Sequence, residues 1–305
     1  MKIQEKQLEF KGSGENTMSK RLSGKKIVNN IYADIKENIE LTKITPKLVI
    51  LLIGNDPAAE YYVQNLEKKG SMIGIKVETR ILDVSIDHQT LIEIIEALNN
   101  DSQVNAIMLQ KPLPSHLDES EIVMKIDPKK DVDAFHPLNM GNLVLDKRGF
   151  IPATPAAVLE LLKYYEIETN GKHIVIVGRS NIVGKPLANL LLRKSDTGNA
   201  TVTVCHSRTK DLAFHTKKAD ILIAAIGKPL FIKSDMVSDD AIIIDVGVNQ
   251  IEDAEKGYRY VGDVDYLGCF VKVSAITPVP GGIGTITTAM LLNNVLLAYK
   301  IQNMN

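Results

Sequence analysis

The sequence has no tryptophan, only two cysteines and no long hydrophobic run. Cys205 and Cys269 form neither a metal-binding spacing nor a disulfide framework, so no metal site and a reducing cytoplasm are expected. No apolar stretch approaches the roughly 18 residues that a membrane-spanning helix needs. The formal net charge of -1 argues against a bulk nucleic-acid or membrane partner.

The remaining composition is that of a soluble globular protein. The chain has 305 residues, of which 45% are hydrophobic and 24% charged, and this length favours two domains. Residues 1–17 are polar and lack the apolar segment of a signal peptide. They are predicted to be a disordered extension, or the product of a start codon upstream of a native start at Met18.

The first half of the chain alternates between short apolar runs and amphipathic segments. After a helix expected within SKRLSGKKIVNNIYADIKENIE, the apolar runs KLVILLIG, IKVETRIL and VNAIMLQ predict short strands. Amphipathic segments such as DHQTLIEIIEALNND and DESEIVMKI lie between or after them and predict helices. The segment DPKKDVDAFHP is too polar and too rich in proline for either element. Such alternation predicts parallel strands with helices packed on them.

The same alternation restarts at TPAAVLELLKYY, where Thr154 is the predicted helix N-cap. Strands are predicted in KHIVIVG, ATVTVCHS, KKADILIAAIG and AIIIDVG, and helices between them. This pattern indicates an α/β fold with a second, doubly wound sheet. The domain boundary is expected near residues 149–155.

A candidate nucleotide-binding turn lies in HIVIVGRSNIVGKP. A strand ends at Gly178 and a helix opens near Gly184, so backbone N–H groups would be free to bind a pyrophosphate. The spacing departs from G-x-G-x-x-G because Arg179 and Ser180 follow the first glycine. Taken alone, the same pattern fits a plain β–α turn.

The end of the next strand favours NADP over NAD. A site for NAD would usually offer Asp or Glu there, to bind the ribose hydroxyls. This chain has CHSRT instead, so that His206, Ser207 and Arg208, together with Arg179, suit a 2′-phosphate. The alternative is that Arg208 is simply a solvated surface charge.

Read in order, several motifs resemble the methylenetetrahydrofolate dehydrogenase/cyclohydrolase (FolD) family. The resemblance runs from about Leu22 to Tyr299. Its motifs are GNDPAAEYYV, LQKPLP, KDVDAFHPLNMG, TPAAVLELL, VGRSNIVGKP, TVCHSRT, DVGVN, VGDVD and TPVPGGIG.

The resemblance implies a fold and an assembly. It implies an N-terminal folate-binding catalytic domain, formed by residues 18–152 with 285–305, and a Rossmann-like NADP-binding domain, residues 153–284. The C-terminal helix would pack back on the first domain. A homodimer, a cleft between the domains and tetrahydrofolate one-carbon derivatives as substrates are also implied.

The resemblance also implies roles for individual residues. Tyr62 would stack on the folate, Gln110 would bind near the reacting carbon, and Asp133 would accept hydrogen bonds from the pterin. The remaining folate contacts would be Pro280, Gly281 and Gly282, and the dinucleotide contacts Gly178, Arg179, Ser180, Ser207 and Val248. Without the ordered series of motifs, the same residues would be interpreted as packing or turn residues.

One departure from the family pattern bears on the chemistry. The family carries a lysine four residues after the tyrosine, where this chain has Leu66. Hydride transfer from methylenetetrahydrofolate is driven by nitrogen lone pairs and needs positioning rather than proton transfer. Hydrolysis of the methenyl cation needs general acid–base help, which leucine lacks. The dehydrogenase step is therefore expected to survive and the cyclohydrolase step to be impaired.

Other departures are Ala134 for a glycine, Thr285 for a proline and Lys111 for a leucine. Lys111 adjoins Gln110, and its amine is a candidate to replace the missing lysine in the space beside Leu66. Two further interpretations stay open: a two-domain NADP dehydrogenase of the shikimate type, and a folate-binding paralogue without catalytic activity.

Overall fold

The computed structural model describes residues 19–255 and 257–303. The predicted N-terminal extension, residues 1–17, and Met18 lie outside this range. Within the described residues, no helix is long and apolar enough to cross a membrane. The strands are β1 (Lys20–Arg21), β2 (Lys47–Ile53), β3 (Lys76–Leu82), β4 (Ala106–Leu109), β5 (His173–Val177), β6 (Thr201–Cys205), β7 (Ile221–Ala224), β8 (Ile242–Asp245), β9 (Asn249–Asp253), β10 (Gly257–Val261) and β11 (Ala275–Ile276). The helices are α1 (Lys25–Thr42), α2 (Pro57–Met72), α3 (His88–Asn100), α4 (Glu119–Lys125), α5 (Pro137–Val144), α6 (Ala153–Tyr164), α7 (Gly184–Leu192), α8 (Leu212–Thr216), α9 (Tyr266–Phe270) and α10 (Ile283–Asn303).

The first lobe is built on a parallel sheet with the order β3–β2–β4. Side chains on both faces of β2 are buried, as the continuous apolar run predicts. Leu48, Ile50 and Leu52 pack in one core with residues of α1, α2 and α10. Val49 and Leu51 pack in the other core with residues of α3 and α4.

The second lobe is a parallel, doubly wound sheet with the order β1–β11–β8–β7–β5–β6. Its two faces are covered by different helices. One core joins Ile174 and Ile223 to residues of α6 and α7, and the other joins Val175 and Leu222 to Cys269 of α9. The predicted α/β class and the second sheet are confirmed.

The two long helices α1 and α10 join the lobes because each contributes to both cores. Ile27 and Ile286 belong to the core of the second lobe. Ile35 and Leu292 belong to the core of the first lobe. The prediction that the C-terminal helix packs back on the first lobe is confirmed.

Two local predictions need correction, and one element was not predicted. Residues 20–21 form a strand beside β11, so the first helix begins only at Lys25. The helix α6 begins at Ala153 after Pro152, and Thr154 therefore lies inside its first turn instead of capping it. The antiparallel hairpin of β9 and β10 was not predicted.

Candidate active site

A small cavity of about 90 Å³ lies between the lobes. Its first-lobe side includes Tyr62 and Asp133, and its second-lobe side includes Ile182, which belongs to the predicted nucleotide-binding turn. The complete lining is Tyr62, Asp133, Phe135, Pro152, Ala153, Thr154, Ile182, Thr287 and Leu291. Two residues predicted to bind folate thus border one space with a residue of the predicted nucleotide-binding turn. The predicted dinucleotide contacts themselves, and Gln110, lie outside this lining.

Tyr62 reaches this cavity from the second turn of α2. The helix begins just after the carboxyl end of β2, where Asp56 accepts a hydrogen bond from Ala58 N at 3.0 Å and caps it. Burial, and then the nearby charge of Asp133, raises the pKa of Tyr62 above its ordinary value. Its hydroxyl is therefore neutral at physiological pH and able to donate a hydrogen bond.

Leu66 lies one turn further along the same face of α2, and its side chain is completely buried. It packs in the first-lobe core with Val63 and with strand residues of β2. The position where the family pattern has an amine is thus apolar and closed to solvent. No proton donor or acceptor is supplied from Leu66.

Lys111 lies near the cavity, but its amine is engaged elsewhere. The Nζ atom is 2.6 Å from Oε1 of Glu119 and 3.9 Å from the centre of the Phe135 ring. Phe135 lines the cavity, whereas Lys111 does not. For Lys111 to reach a bound folate, it would have to leave the carboxylate of Glu119.

The two aspartates of the DVD segment have different surroundings. Asp131 is buried and accepts hydrogen bonds from His136 N at 2.8 Å and from Asn139 Nδ2 at 2.9 Å, so it stabilises the turn. Asp133 faces the cavity, and among the described residues its carboxylate accepts no hydrogen bond. Burial, reinforced by the charge of Asp131 and opposed by that of Lys111, raises the pKa of Asp133 to about 7.

Ala134 follows at φ 58°, a left-handed conformation. A glycine adopts this conformation without strain, which gives a physical reason for the glycine of the family pattern. In this chain an alanine adopts the conformation at some cost in backbone energy.

Gln110 presents an unsatisfied acceptor at the end of β4. Its backbone N donates to Leu51 O at 2.9 Å, and its Nε2 donates to Lys111 O at 2.8 Å. Its Oε1 is buried and has no hydrogen-bond partner within the described residues. Since such groups are usually paired, this oxygen is a candidate contact for a ligand.

The turn between β5 and α7 packs closely against neighbouring backbone. Gly178 adopts φ 140°, and a Cβ there would collide with the carbonyl group of Ala225. A Cβ on Gly184 would collide with the backbone carbonyl of Gly178. Ser180 Oγ accepts a hydrogen bond from Val183 N at 3.1 Å, which holds the entry into α7. Both glycines are therefore required by the path of the backbone.

The cationic side chains predicted to bind a 2′-phosphate are available to a ligand. Arg179, Ser207 and Arg208 are exposed, and neither arginine forms an ion pair in the described part of the chain. The ring of His206 accepts a hydrogen bond from Arg208 N at 3.1 Å and thereby shapes this loop. Val248 follows β8 and is also exposed.

The segment TPVPGGIG leads from β11 into α10. Gly281 O accepts a hydrogen bond from Gly24 N at 2.9 Å, so the segment is attached to the loop before α1. Gly282 O accepts one from Thr285 Oγ1 at 2.8 Å. Pro280 is exposed and Gly281 is half-buried. The three predicted contacts Pro280–Gly282 lie outside the lining of the 90 Å³ cavity.

The sequence analysis assigned no role to three further polar residues near these loops, although Asp245 and Asp263 lie in the motifs DVGVN and VGDVD. The hydroxyl of Tyr32 is buried without a partner among the described residues, and burial raises the pKa of Tyr32 to about 12. Asp245 and Asp263 are buried where the strands of the second sheet end. A tyrosine in an amphipathic helix resembles a packing residue, so only the tertiary structure distinguishes it.

Family models match both halves of the chain. The model for the tetrahydrofolate dehydrogenase/cyclohydrolase catalytic domain matches residues 22–133. The model for the NAD(P)-binding domain of the same enzymes matches residues 152–303.

Individual proteins match along almost their whole lengths. The bifunctional protein FolD of Chlorobium luteolum is 47% identical over 291 residues, which cover 92% of this chain and 98% of that protein. The crystal structure of the bifunctional enzyme FolD of Campylobacter jejuni has 42% identity and a TM-score of 0.87, covering 93% of this chain and 99% of that one. The Trypanosoma brucei enzyme, complexed with NADP cofactor and inhibitor, has 32% identity and a TM-score of 0.89, covering 95% and 100%.

Proposed function

This chain belongs to the tetrahydrofolate dehydrogenase/cyclohydrolase family, and we propose that it oxidises 5,10-methylenetetrahydrofolate to 5,10-methenyltetrahydrofolate with NADP. The reaction belongs to one-carbon metabolism. The observation that carries the proposal is the single cavity bordered by Tyr62, Asp133 and Ile182, where the folate side and the dinucleotide side of the molecule meet.

Recognition of the pterin falls to three residues of the first lobe. Asp133 offers two unpaired carboxylate oxygens to the pterin amino and ring N–H groups, a pairing that suits a carboxylate. Tyr62 places its neutral ring against the folate, and the unpaired Oε1 of Gln110 accepts a hydrogen bond near the reacting carbon. Pro280, Gly281 and Gly282 border the folate further out.

The second lobe holds the dinucleotide. The Gly178–Gly184 turn suits a pyrophosphate because it leads from the carboxyl end of β5 into the N-terminus of α7, where backbone N–H groups favour an anion. Arg179, Ser207 and Arg208 bind the 2′-phosphate, and this preference distinguishes NADP from NAD. Val248 lies against the nicotinamide end. When bound, the nicotinamide ring accepts the hydride.

The oxidation depends on positioning of the substrate and cofactor rather than on acid–base catalysis. The one-carbon unit loses a hydride, and the cation that remains is shared by the two folate nitrogens. No side chain has to move a proton in this step. Holding donor and acceptor carbons in contact supplies most of the acceleration, and effective molarities for well-oriented groups reach about 10⁵ M or more.

The hydrolytic step makes a different demand. Water must lose a proton as it attacks the methenyl carbon, and a ring nitrogen must gain one when the adduct collapses. Leu66 can do neither, and the amine of Lys111 is held by Glu119. We therefore assign dehydrogenase activity to this chain and expect its cyclohydrolase activity to be lower by about 10²–10⁴-fold, the usual contribution of a general acid–base group.

Family membership argues against the shikimate-type alternative, because the match to FolD proteins spans nearly the whole chain. A paralogue that binds folate without turning it over is the remaining alternative. The free arginines and the glycine turn favour an active enzyme, because a chain that only bound folate would have no use for a complete dinucleotide site.

The resemblance to the family supports a proposal for the assembly and the location. The active form is proposed to be a homodimer in the cytoplasm, with residues 18–152 and 285–305 as the folate-binding domain and 153–284 as the NADP-binding domain. No nucleic-acid or membrane partner is expected from the net charge of -1. Light scattering of the purified protein measures its molar mass in solution. Because most homo-oligomers are two-fold symmetric dimers, we expect a mass of ~67 kDa, about twice the 33.6 kDa of the chain.

The direct test is the initial rate of NADPH formation from methylenetetrahydrofolate, compared with the rate for NAD. We expect turnover with NADP and a much higher KM for NAD. Calorimetric binding of folate and NADP is measured on the same preparation. Binding of both ligands without turnover would favour the non-catalytic paralogue, and absence of folate binding would contradict the proposal.

A further inference from the structure

A buried carboxylate, that of Asp263, holds the loop after β7 in place. Asp263 has no exposed surface. It accepts hydrogen bonds from the backbone N of Ile226, Gly227 and Lys228 at 2.6, 3.0 and 2.9 Å. Asn249, which begins β9, donates to it from Nδ2 at 2.9 Å. A single side chain thus fixes two segments that follow neighbouring strands of the second sheet.

A second buried carboxylate, that of Asp245, continues this network. It lies at the end of β8 and accepts hydrogen bonds from Gly247 N at 3.0 Å and Val264 N at 2.9 Å. It also accepts one from the backbone N of Asp263 at 3.0 Å, which joins the two carboxylates in one network. Its own backbone N donates to Thr277 Oγ1 at 2.7 Å.

Thr277 extends the network to the folate side of the cleft. It is the first residue of TPVPGGIG, whose Pro280–Gly282 are assigned to the folate. Val248, assigned to the dinucleotide, lies between Gly247 and Asn249, which bind the two carboxylates. In open α/β sheets ligands bind beyond the carboxyl ends of the strands, and these segments all lie there.

The network is costly, so it calls for an explanation beyond simple packing. Burial raises the pKa of Asp245 to about 7, although three backbone N–H groups donate to its carboxylate. Gly247 and Gly262 face the carboxylates so closely that a Cβ on either would overlap them. Burial of a carboxylate is costly unless hydrogen bonds compensate it, and here the backbone N–H groups of these loops do so.

We propose that Asp245, Asp263 and Thr277 are positioning residues that hold the dinucleotide loops and the folate loop in one fixed arrangement. Neither carboxylate lines the 90 Å³ cavity, so neither acts on the reacting atoms directly. Their effect is on the approach of the donor carbon to the nicotinamide, and displacements near 1 Å cost about 10²-fold in rate. The inference rests on the proposed dehydrogenase function.

The first test is Asp263→Asn in the full-length enzyme. The amide keeps the size of the carboxylate but loses the acceptor capacity of one oxygen, so two of the four donors lose their partner. We expect kcat for NADPH formation to fall at least tenfold, with KM for folate within twofold of wild type. A larger primary isotope effect with substrate deuterated at the one-carbon unit should accompany the loss, since hydride transfer becomes rate-limiting.

A milder pair of variants addresses the risk that Asp263→Asn does not fold. Thr277→Val removes the hydroxyl that Asp245 N binds while keeping the shape of the side chain, and Thr277→Ser restores it. The valine variant should lose kcat and show the enlarged isotope effect, and the serine variant should recover both. A purely structural role would lower the melting temperature of the valine variant and leave the isotope effect of the folded enzyme unchanged.

Asp220→Asn is the matched control, because Asp220 accepts a hydrogen bond from His173 N at 2.7 Å at the opposite, amino-terminal end of the strands. It should keep the wild-type kcat and isotope effect. If wild type turns over while Asp263→Asn and Thr277→Val match it in both quantities, the positioning role is wrong. If wild type itself forms no NADPH, the proposed function fails instead.

Discussion

Tyr62 and Leu66 lie one turn apart on the same face of α2, yet only Tyr62 reaches the cavity between the lobes. Leu66 is sealed in the first-lobe core beneath it. Under the proposed function, each of the two positions bears on a different reaction at one substrate site. We propose that Tyr62 serves recognition of the folate, on which the hydride step depends, whereas the hydrolytic step needs a proton-handling group where Leu66 stands.

Leu66→Lys should therefore raise the rate of methenyltetrahydrofolate hydrolysis by about 10²-fold, since it restores an amine with a pKa lowered by burial. The same change should lower the free energy of unfolding by on the order of 4 kcal/mol, because an unpaired ammonium is costly to bury. Hydrolysis is followed by loss of methenyl absorbance, and stability by urea unfolding. Leu66→Met is the control: it keeps the volume, and we expect no gain in hydrolysis.

Asp133 should make folate binding depend on pH in the neutral range. Its pKa is raised to about 7, mainly by burial, so the carboxylate of the free enzyme gains a proton as the pH falls below that value. The protonated group loses acceptor capacity for the pterin donors. We expect kcat/KM for the folate to fall about tenfold per pH unit below pH 7 and to level off above it. A profile that stays flat down to pH 5 would contradict this role for Asp133.

Lys111→Met tests the position of the lysine amine. The positive charge of Lys111 lowers the pKa of Asp133, so its removal should move the acidic inflection of kcat/KM to higher pH. Because the amine is paired with Glu119 and packed on the Phe135 ring, methenyl hydrolysis should keep its wild-type rate. Lys129→Met, a change at an exposed lysine outside the cavity lining, is the control for loss of a charge. A fall in hydrolysis specific to Lys111→Met would show that Lys111 has taken over from the missing lysine.

Arg208→Gln should weaken the preference for NADP. A hydrogen bond to a charged group contributes about 1.5–3 kcal/mol, so KM for NADP should rise about 10- to 100-fold while KM for NAD changes little. Both constants come from initial rates at saturating folate. Lys217→Gln, which removes an exposed charge at the end of α8, should leave both values unchanged. Equal increases for the two dinucleotides would argue against contact with the 2′-phosphate.

Much of the framework is readable from local sequence because it depends on local patterns. The apolar runs of β2, β4 and β5 and the amphipathic pattern of α3 are strong enough to predict both the elements and the parallel arrangement. The two-residue strand β1 escapes prediction because it exists only through its pairing with β11, about 250 residues away. The hairpin β9–β10 is polar and mostly exposed, so it lacks the burial pattern that identifies a strand.

Some features of the site can also be predicted from short motifs, whereas others depend on the tertiary structure. Tyr62, Asp133 and the Gly178–Gly184 turn belong to short motifs, and the fold brings them to one cavity through Ile182. The pairing of Lys111 with Glu119 depends on the conformation around a strand end, where alternation of side chains no longer applies. The Asp245–Asp263 network joins residues 18 positions apart to loops from three segments, and only tertiary structure reveals it.

The account is tested most directly by following NADPH and methenyltetrahydrofolate together, in one reaction of the wild-type enzyme with methylenetetrahydrofolate and NADP. A parallel sample of methenyltetrahydrofolate without enzyme gives the uncatalysed hydrolysis. We expect methenyl product to accumulate nearly in step with NADPH and to disappear at the uncatalysed rate. NADPH formation with methenyl held at a low steady level would show efficient hydrolysis despite Leu66, and would contradict the separation of the two steps.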